Sequence, residues 1–291
     1  MLDRKEAMFY KKLKDKRVLC FLCPHNCNIP DGGHGICGVR QNFEGILYSL
    51  NFGEIASIAL DPIEKKPLYR FYSGSYILSI GSVGCNFKCP FCQNHRIARV
   101  KPHEVITSHA NSDEIVEKAV ALKKRGNIGI AYTYNEPTIW YEFVYETAKL
   151  AKEKNLKNVL VTNGYICKEP LDRLLPYIDA MNIDLKAYNN KFYKELVKGG
   201  LEEVKSTISE SVKHCHVEIT TLIIPGCNDS IEEMEDMAKW ISSMSRDIPL
   251  HLSRYFPNYE MADRPPTPRD TLAILKQAAE RHLKYVYLGN V

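Results

Sequence analysis

Gly84-Cys85-Asn86-Phe87-Lys88-Cys89-Pro90-Phe91-Cys92 follows directly on residues 76–82, a run rich in apolar β-formers that reads as a strand. Its three cysteines stand in a C-x3-C-x2-C spacing. Thiolates this close together can hold three irons of a cubane cluster and leave the fourth iron without a protein ligand, open to a reactant. An electron carrier whose irons are all ligated by cysteine has no such corner. The competing reading is a structural zinc knot. Zinc sites take four ligands, commonly in two pairs, and no fourth Cys or His lies at a matching offset except His95.

Working outward from that stretch, the chain of 291 residues is 45% hydrophobic and 25% charged, enough to bury one large domain, alone or with a small companion. The net charge of +4 comes from interspersed signs, with no Arg/Lys cluster, and argues against a nucleic-acid partner. Residues 1–18 are charged throughout and lack the apolar core of a signal peptide. No run is long and apolar enough to span a bilayer. A cytoplasmic protein is the expectation, and in a reducing compartment clustered cysteines point to metal rather than disulfides. Seven of the ten cysteines fall within the first 92 residues, which locates the metal chemistry.

Two regions are expected. Residues 1–75 form a small cysteine-rich N-terminal region, punctuated by Gly and Pro, that reads as loops folded around a metal. In residues 76–291, strand-like runs at 76–82, 128–132, 158–162, 180–184, 217–224 and 250–255 alternate with helix-like stretches. Ser112-Asp113-Glu114 supplies a cap and N-terminal acid for the helix expected over 112–124. Alternation in units of roughly 30 residues argues for an α/β fold with a parallel sheet, either open and doubly wound or a partial barrel. Both architectures put reacting groups at the C-terminal ends of strands. There the sequence carries the three cysteines, then Tyr134-Asn135-Glu136, Thr162-Asn163-Gly164, Asp184-Leu185-Lys186 and Cys227-Asn228-Asp229, with His251 and Arg254 in the sixth run.

With those segments in hand, the chain resembles the radical S-adenosylmethionine (radical SAM) enzymes, in the branch similar to pyruvate formate-lyase activating enzymes. Cys20-Phe-Leu-Cys23-Pro-His-Asn-Cys27, Gly35-Ile-Cys37-Gly-Val-Arg40, Asp61-Pro-Ile-Glu64-Lys-Lys-Pro67-Leu-Tyr69 and Tyr132-Thr-Tyr-Asn-Glu-Pro-Thr138 narrow the resemblance to the AmmeMemoRadiSam group, over essentially the whole chain. That resemblance implies a partial (β/α)6 TIM-like barrel. It implies a [4Fe–4S] cluster on Cys85, Cys89 and Cys92, with Phe91 near the adenine of SAM and Asn135-Glu136 where the methionine amino group binds. Thr162, Asn163, Asp184 and Lys186 would contact the methionyl and ribose parts, Lys186 the carboxylate, and His251 the ribose. Relatives often carry Asp before Thr-Asn-Gly, where this chain has Val161. Reductive cleavage of SAM to methionine and a 5′-deoxyadenosyl radical, which takes hydrogen from a substrate, would follow. An electron donor such as flavodoxin or ferredoxin is implied, as is a protein substrate with a glycyl residue, or companions of the Memo and AMMECR types. Cleavage needs no acid or base, so no catalytic Ser, His or carboxylate is assigned.

Cys20, Cys23, Cys27 and Cys37 are the second constellation. Four thiolates in one loop-rich knot fit zinc or an auxiliary Fe–S cluster, with His25 and His34 as substitutes. So small a region needs a staple. Cys167, Cys215 and Cys227 read as plain buried or loop residues. Tyr69-Arg70-Phe71-Tyr72 reads as packing between the regions. The rivals to a radical enzyme acting on protein are a non-catalytic Fe–S or zinc scaffold or redox sensor, and a nucleic-acid-modifying radical enzyme.

Overall fold

A computed structural model describes residues 5–291. The six expected strands form within a residue or two of the sequence reading, as Tyr76–Gly81, Asn127–Tyr132, Lys157–Thr162, Ala180–Asp184, His216–Ile223 and Leu250–Arg254. Each pairs in parallel with the next in chain order. A doubly wound sheet reverses its strand order at a switch point; this one never does, so it curls as a partial barrel. Two further strands complete an eight-stranded sheet. Val286–Gly289 adds in parallel beyond Leu250–Arg254, and Ser57–Pro62 adds antiparallel against Tyr76–Gly81. The main sheet therefore reaches back across residue 75.

Residues 1–75 are expected as loops, and there the structure differs. Lys5–Glu6, Ile46–Ser49 and Arg40–Phe43 form one small antiparallel sheet; Tyr10–Lys12, Val18–Cys20 and Asn28–Ile29 form another. Strands of two to four residues are too short to display an alternation of apolar and polar positions. The helix over Ser112–Ala121 also starts differently. Asn111, not Ser112, is its cap, accepting the Glu114 N–H while the Glu114 carboxylate accepts the Asn111 N–H at 2.7 Å.

The segment after Ser57–Pro62 plugs the N-terminal end of the barrel. Ile63, Leu68 and Phe71 join Ile77, Ala131, Val159 and Ala180 in an apolar cluster inside it. Glu218, fully buried, accepts the Tyr69 and Arg70 N–H groups at 3.0 and 2.7 Å, and the Asn182 amide donates to the Pro67 carbonyl. Tyr69 packs edge-on against His251. This end is filled and closed; the opposite end is open.

Candidate active site

The three cysteines of the opening stretch line a cavity of about 240 Å³ at the C-terminal ends of the barrel strands. Several elements hold their loop. The Gly84 N–H donates to the Ile97 carbonyl, the Lys88 N–H to Val197, and the Arg99 guanidinium to Phe87. Val197 ends a π-type turn over Tyr193–Val197, and Gly199 just beyond lies so close to the Phe87 ring that a Cβ there would stand 2.2 Å from it. Fully burying Phe87 contributes about 1.5–3 kcal/mol to this seating.

Asn135 and Asn94 join the loop to its neighbouring strand end. The Asn135 amide donates to the Gly84 carbonyl at 3.1 Å while its oxygen accepts the Ser82 N–H; the Asn94 amide donates to the Tyr134 carbonyl at 2.7 Å. Glu136, 2% exposed, accepts from the Thr138 N–H at 2.9 Å, the Thr162 hydroxyl at 2.7 Å and the Asn163 N–H at 2.8 Å. Burial holds its carboxyl above the usual range, with those donors pulling the other way. Asn163 continues the chain of contacts, donating to the Asn86 side chain at 2.8 Å and reaching Cys85 Sγ at 3.7 Å.

On the facing wall, Lys186 Nζ lies 2.6 Å from Asp184 Oδ2. Burial opposes its charge, but the Asp184 carboxylate and the Cys89 thiol outweigh it and raise the ammonium. Phe91, buried, lines the cavity with its ring 5.9 Å from Phe192. Phe91, Asn135, Glu136, Thr162, Asn163, Asp184 and Lys186 thus all meet around the three thiols.

His251 does not join them, contrary to the sequence expectation. It sits at the start of its strand, with Nε2 2.6 Å from Glu218 and its ring between Tyr69 and Tyr287. Ser253, two residues on and on the same strand face, lines the cavity instead. Tyr134, Thr133, Asn94 and Gln93 are further lining residues that sequence reasoning did not single out. Tyr134 lay within a quoted motif, and its signal is a left-handed backbone (φ 71°) that only the fold reveals. Its hydroxyl donates to Asp61, which also binds the buried Lys66 ammonium at 2.8 Å.

The donor set suits an iron–sulfur cluster. Burial pushes all three thiols up, Cys89 to about 12, so a metal must take the proton's place for them to ionise. Among the described residues no three Cys, His, Asp or Glu side chains converge tightly enough to hold a single ion; the thiolates of a cubane bind separate irons. The Phe87 N–H donates to Cys85 Sγ at 3.3 Å. His95, the one alternative fourth ligand, stacks on Tyr259 and sets Nδ1 against the Cys92 carbonyl, and it does not line the cavity.

The second constellation also gathers. Cys20, Cys27 and Cys37 each lie within electrostatic reach of Cys23, and the Cys20 N–H donates to the Cys27 carbonyl. Cys167, read as a plain residue, comes within reach of Cys20. His34 pairs across an isolated bridge with Gln41, and His25 Nε2 lies 2.8 Å from the Asn86 carbonyl. Trp140 and Phe143 stack in the core, their ring centroids 4.4 Å apart. Among the described residues no helix is long and apolar enough to cross a membrane.

Comparison with known proteins agrees with this geometry. An uncharacterized protein of Methanocaldococcus jannaschii is 46% identical over 290 residues, covering 99% of this chain and 85% of that protein. A second protein of that organism, named as a glycyl-radical enzyme activating enzyme, is 32% identical over 222 residues, 74% of this chain and 79% of its own. The pyruvate formate-lyase 1-activating enzyme of Escherichia coli is 26% identical over 57% of this chain and 66% of its own length. In fold, a radical SAM methyltransferase from Sphaerobacter thermophilus superposes with a TM-score of 0.58 at 17% identity, over 75% of this chain and 67% of that one. Residues 79–241, more than half the chain and including the three-cysteine loop, match the radical SAM superfamily, and to that family this protein belongs.

Proposed function

We propose that this radical SAM enzyme takes a hydrogen atom from a glycyl residue of a partner protein. The observation that carries the reading is the convergence of three half-buried thiols with Asn163, Glu136 and a tethered lysine on one cavity; the relatives named as activating enzymes support the glycyl target. The family works with a [4Fe–4S] cluster and SAM, which together supply one electron and a sulfonium whose carbon–sulfur bond breaks to methionine and a 5′-deoxyadenosyl radical.

The chain's share is holding and shielding. Cys85, Cys89 and Cys92 ligate the cluster. Lys186, kept protonated beside Asp184, would receive the SAM carboxylate, and Glu136 Oε2, which accepts the Asn163 N–H, would offer a further lone pair to the ammonium. Phe91, Val161 and Leu222 supply apolar wall for the adenine and exclude water. Asn135 and Asn163 brace the cluster loop. Of residues 1–75, those before Ser57 form a metal-holding cap on the barrel, with the second metal on Cys20, Cys23, Cys27 and Cys37, while Ser57–Pro62 belongs to the barrel sheet itself.

Anaerobically reconstituted protein, reduced with dithionite and given SAM, should release 5′-deoxyadenosine, and Cys89→Ala should abolish release. Extract from cells grown on α-deuterated glycine tests the target. Deuterium should appear in the nucleoside; turnover stimulated by extract without deuterium rejects a glycyl donor.

A further inference from the structure

The two cysteine groups lie far apart in sequence, yet a bonded bridge joins them. His25 lies two residues past Cys23 along the chain. The His25 side chain reaches the Asn86 carbonyl at 2.8 Å, and Asn86 is peptide-bonded to Cys85. The His25 ring packs on Tyr165 at 5.1 Å, whose carbonyl accepts the Asn86 amide. From one thiol group to the other the path therefore runs along the chain from Cys23 through Pro24 to His25, across one hydrogen bond to Asn86, and over one peptide bond to Cys85.

The approach is as close as backbone allows. A Cβ on Gly84 would stand 2.8 Å from the Cys37 carbonyl oxygen and 2.6 Å from the Val39 side chain, and Gly84 has a φ of +86°. Lys88, three residues from Cys85, donates to the Ile36 carbonyl at 2.9 Å. The loop over residues 162–167 touches both groups, with Asn163 at Cys85 and the Cys167 N–H on the Leu22 carbonyl.

In the three-thiol group the Phe87 N–H donates to Cys85 Sγ at 3.3 Å. Such N–H···S bonds tune cluster potentials. The ligand counts are complementary: four thiols can cap a cube completely, which suits an electron carrier, and three leave the reacting corner open. A site serving only as a staple has no need to abut the Cys85 loop.

We propose that Cys20, Cys23, Cys27 and Cys37 hold a redox-active iron–sulfur cluster that passes electrons to the cluster at Cys85, Cys89 and Cys92. The inference rests on the reading of the latter as the SAM-cleaving cluster. A one-electron donor of the flavoprotein or ferredoxin class reduces the four-thiol cluster by one electron. That electron moves to the three-thiol cluster and the first returns to its oxidised state; no atom or proton is exchanged.

The test removes the three-thiol cluster and interrogates the four-thiol one. The triple variant Cys85→Ala/Cys89→Ala/Cys92→Ala, reconstituted anaerobically, should keep about four irons per chain and give a paramagnetic signal on dithionite reduction. One zinc with no iron, or iron that stays oxidised where the wild-type cluster is reduced, overturns the relay. Should the variant not fold, iron in the wild type decides: about eight per chain supports the proposal, and about four with one zinc rejects it. Failure of the SAM reading looks different, because the wild type would then give no 5′-deoxyadenosine whatever its N-terminal metal.

Discussion

Replacing Glu136 with Gln probes the brace between the cluster loop and the cavity. The change keeps volume and removes charge from a side chain bonded to three donors. If the amide oxygen stays on the Thr138 N–H and the Thr162 hydroxyl, its NH2 group must face the Asn163 N–H, where Glu136 Oε2 now lies at 2.8 Å. One bond to a charged acceptor, worth about 1.5–3 kcal/mol, becomes a donor–donor contact. Burial of the charge opposes that loss, since it already pushes the Glu136 carboxyl up, and the amide relieves this cost. We take about 2 kcal/mol as the net effect, expressed in the order of the 162–164 segment rather than in global unfolding. That is roughly a 30-fold weaker affinity for SAM. Thr162→Val removes an uncharged hydroxyl that donates to Glu136 and accepts the Gly164 N–H at 3.1 Å, and should cost about 1 kcal/mol, near fivefold. Equilibrium dialysis of SAM against reconstituted protein of matched iron content, with 5′-deoxyadenosine release alongside, reads both variants. If Glu136→Gln binds SAM within about threefold of wild type while Thr162→Val is the weaker binder, the bracing argument is wrong.

Other expectations address the frame around the site. Arg40 and Glu142, both buried, pair at 2.6 Å and tie the N-terminal region to the barrel, with the Arg40 Nη1 also on the Met8 carbonyl. Glu142→Ala strands a buried guanidinium and should cost about 3–5 kcal/mol in urea unfolding, whereas Arg40→Met/Glu142→Leu should recover most of it. An equal loss in the double variant would show that packing, not charge, dominates. Glu218 gives a pH signature. Burial alone would raise its pKa, but His216, His251 and the Arg70 and Tyr69 N–H groups bring it down to about 2. The folded form therefore holds the proton less tightly than the unfolded chain, so this stability is present above the unfolded value of about 4.3 and lost as pH falls toward 2. Roughly 3 kcal/mol is involved, and Glu218→Gln should flatten the acid limb of stability against pH; parallel profiles would refute the sign. Gly84→Ala must place a methyl 2.6 Å from Val39 at a left-handed φ. It should destabilise by about 2–4 kcal/mol and reduce iron incorporation; unaltered iron content would mean the two loops can part freely.

Much of the site is legible in the chain because covalent spacing sets it. Cys85, Cys89 and Cys92 are held within eight residues, so their proximity needs no tertiary contact. Asn135, Glu136, Thr162, Asn163, Asp184 and Lys186 follow from strand ends, because a parallel sheet puts successive strand ends at one mouth. The capping of the Ser112–Ala121 helix was also written there, as Asn111 three residues before Glu114, one position earlier than the Ser112 reading. His251 shows what periodicity misses. Its strand face is right, but depth along the strand decides between cavity and plug, and at the strand's start it meets Glu218 rather than the mouth.

Sequence alone determined the three-thiol loop, the succession of strands and helices along the chain and the strand ends that carry chemistry, since these depend on neighbours along the chain. Only the tertiary structure decided that Ser57–Pro62 joins the main sheet, that Cys167 comes within reach of Cys20, and that His25 bridges one thiol group to the other. Those pairings join residues with 13 to 146 others between them, brought together by the burial of whole elements; no local signal encodes which side chains will then face each other.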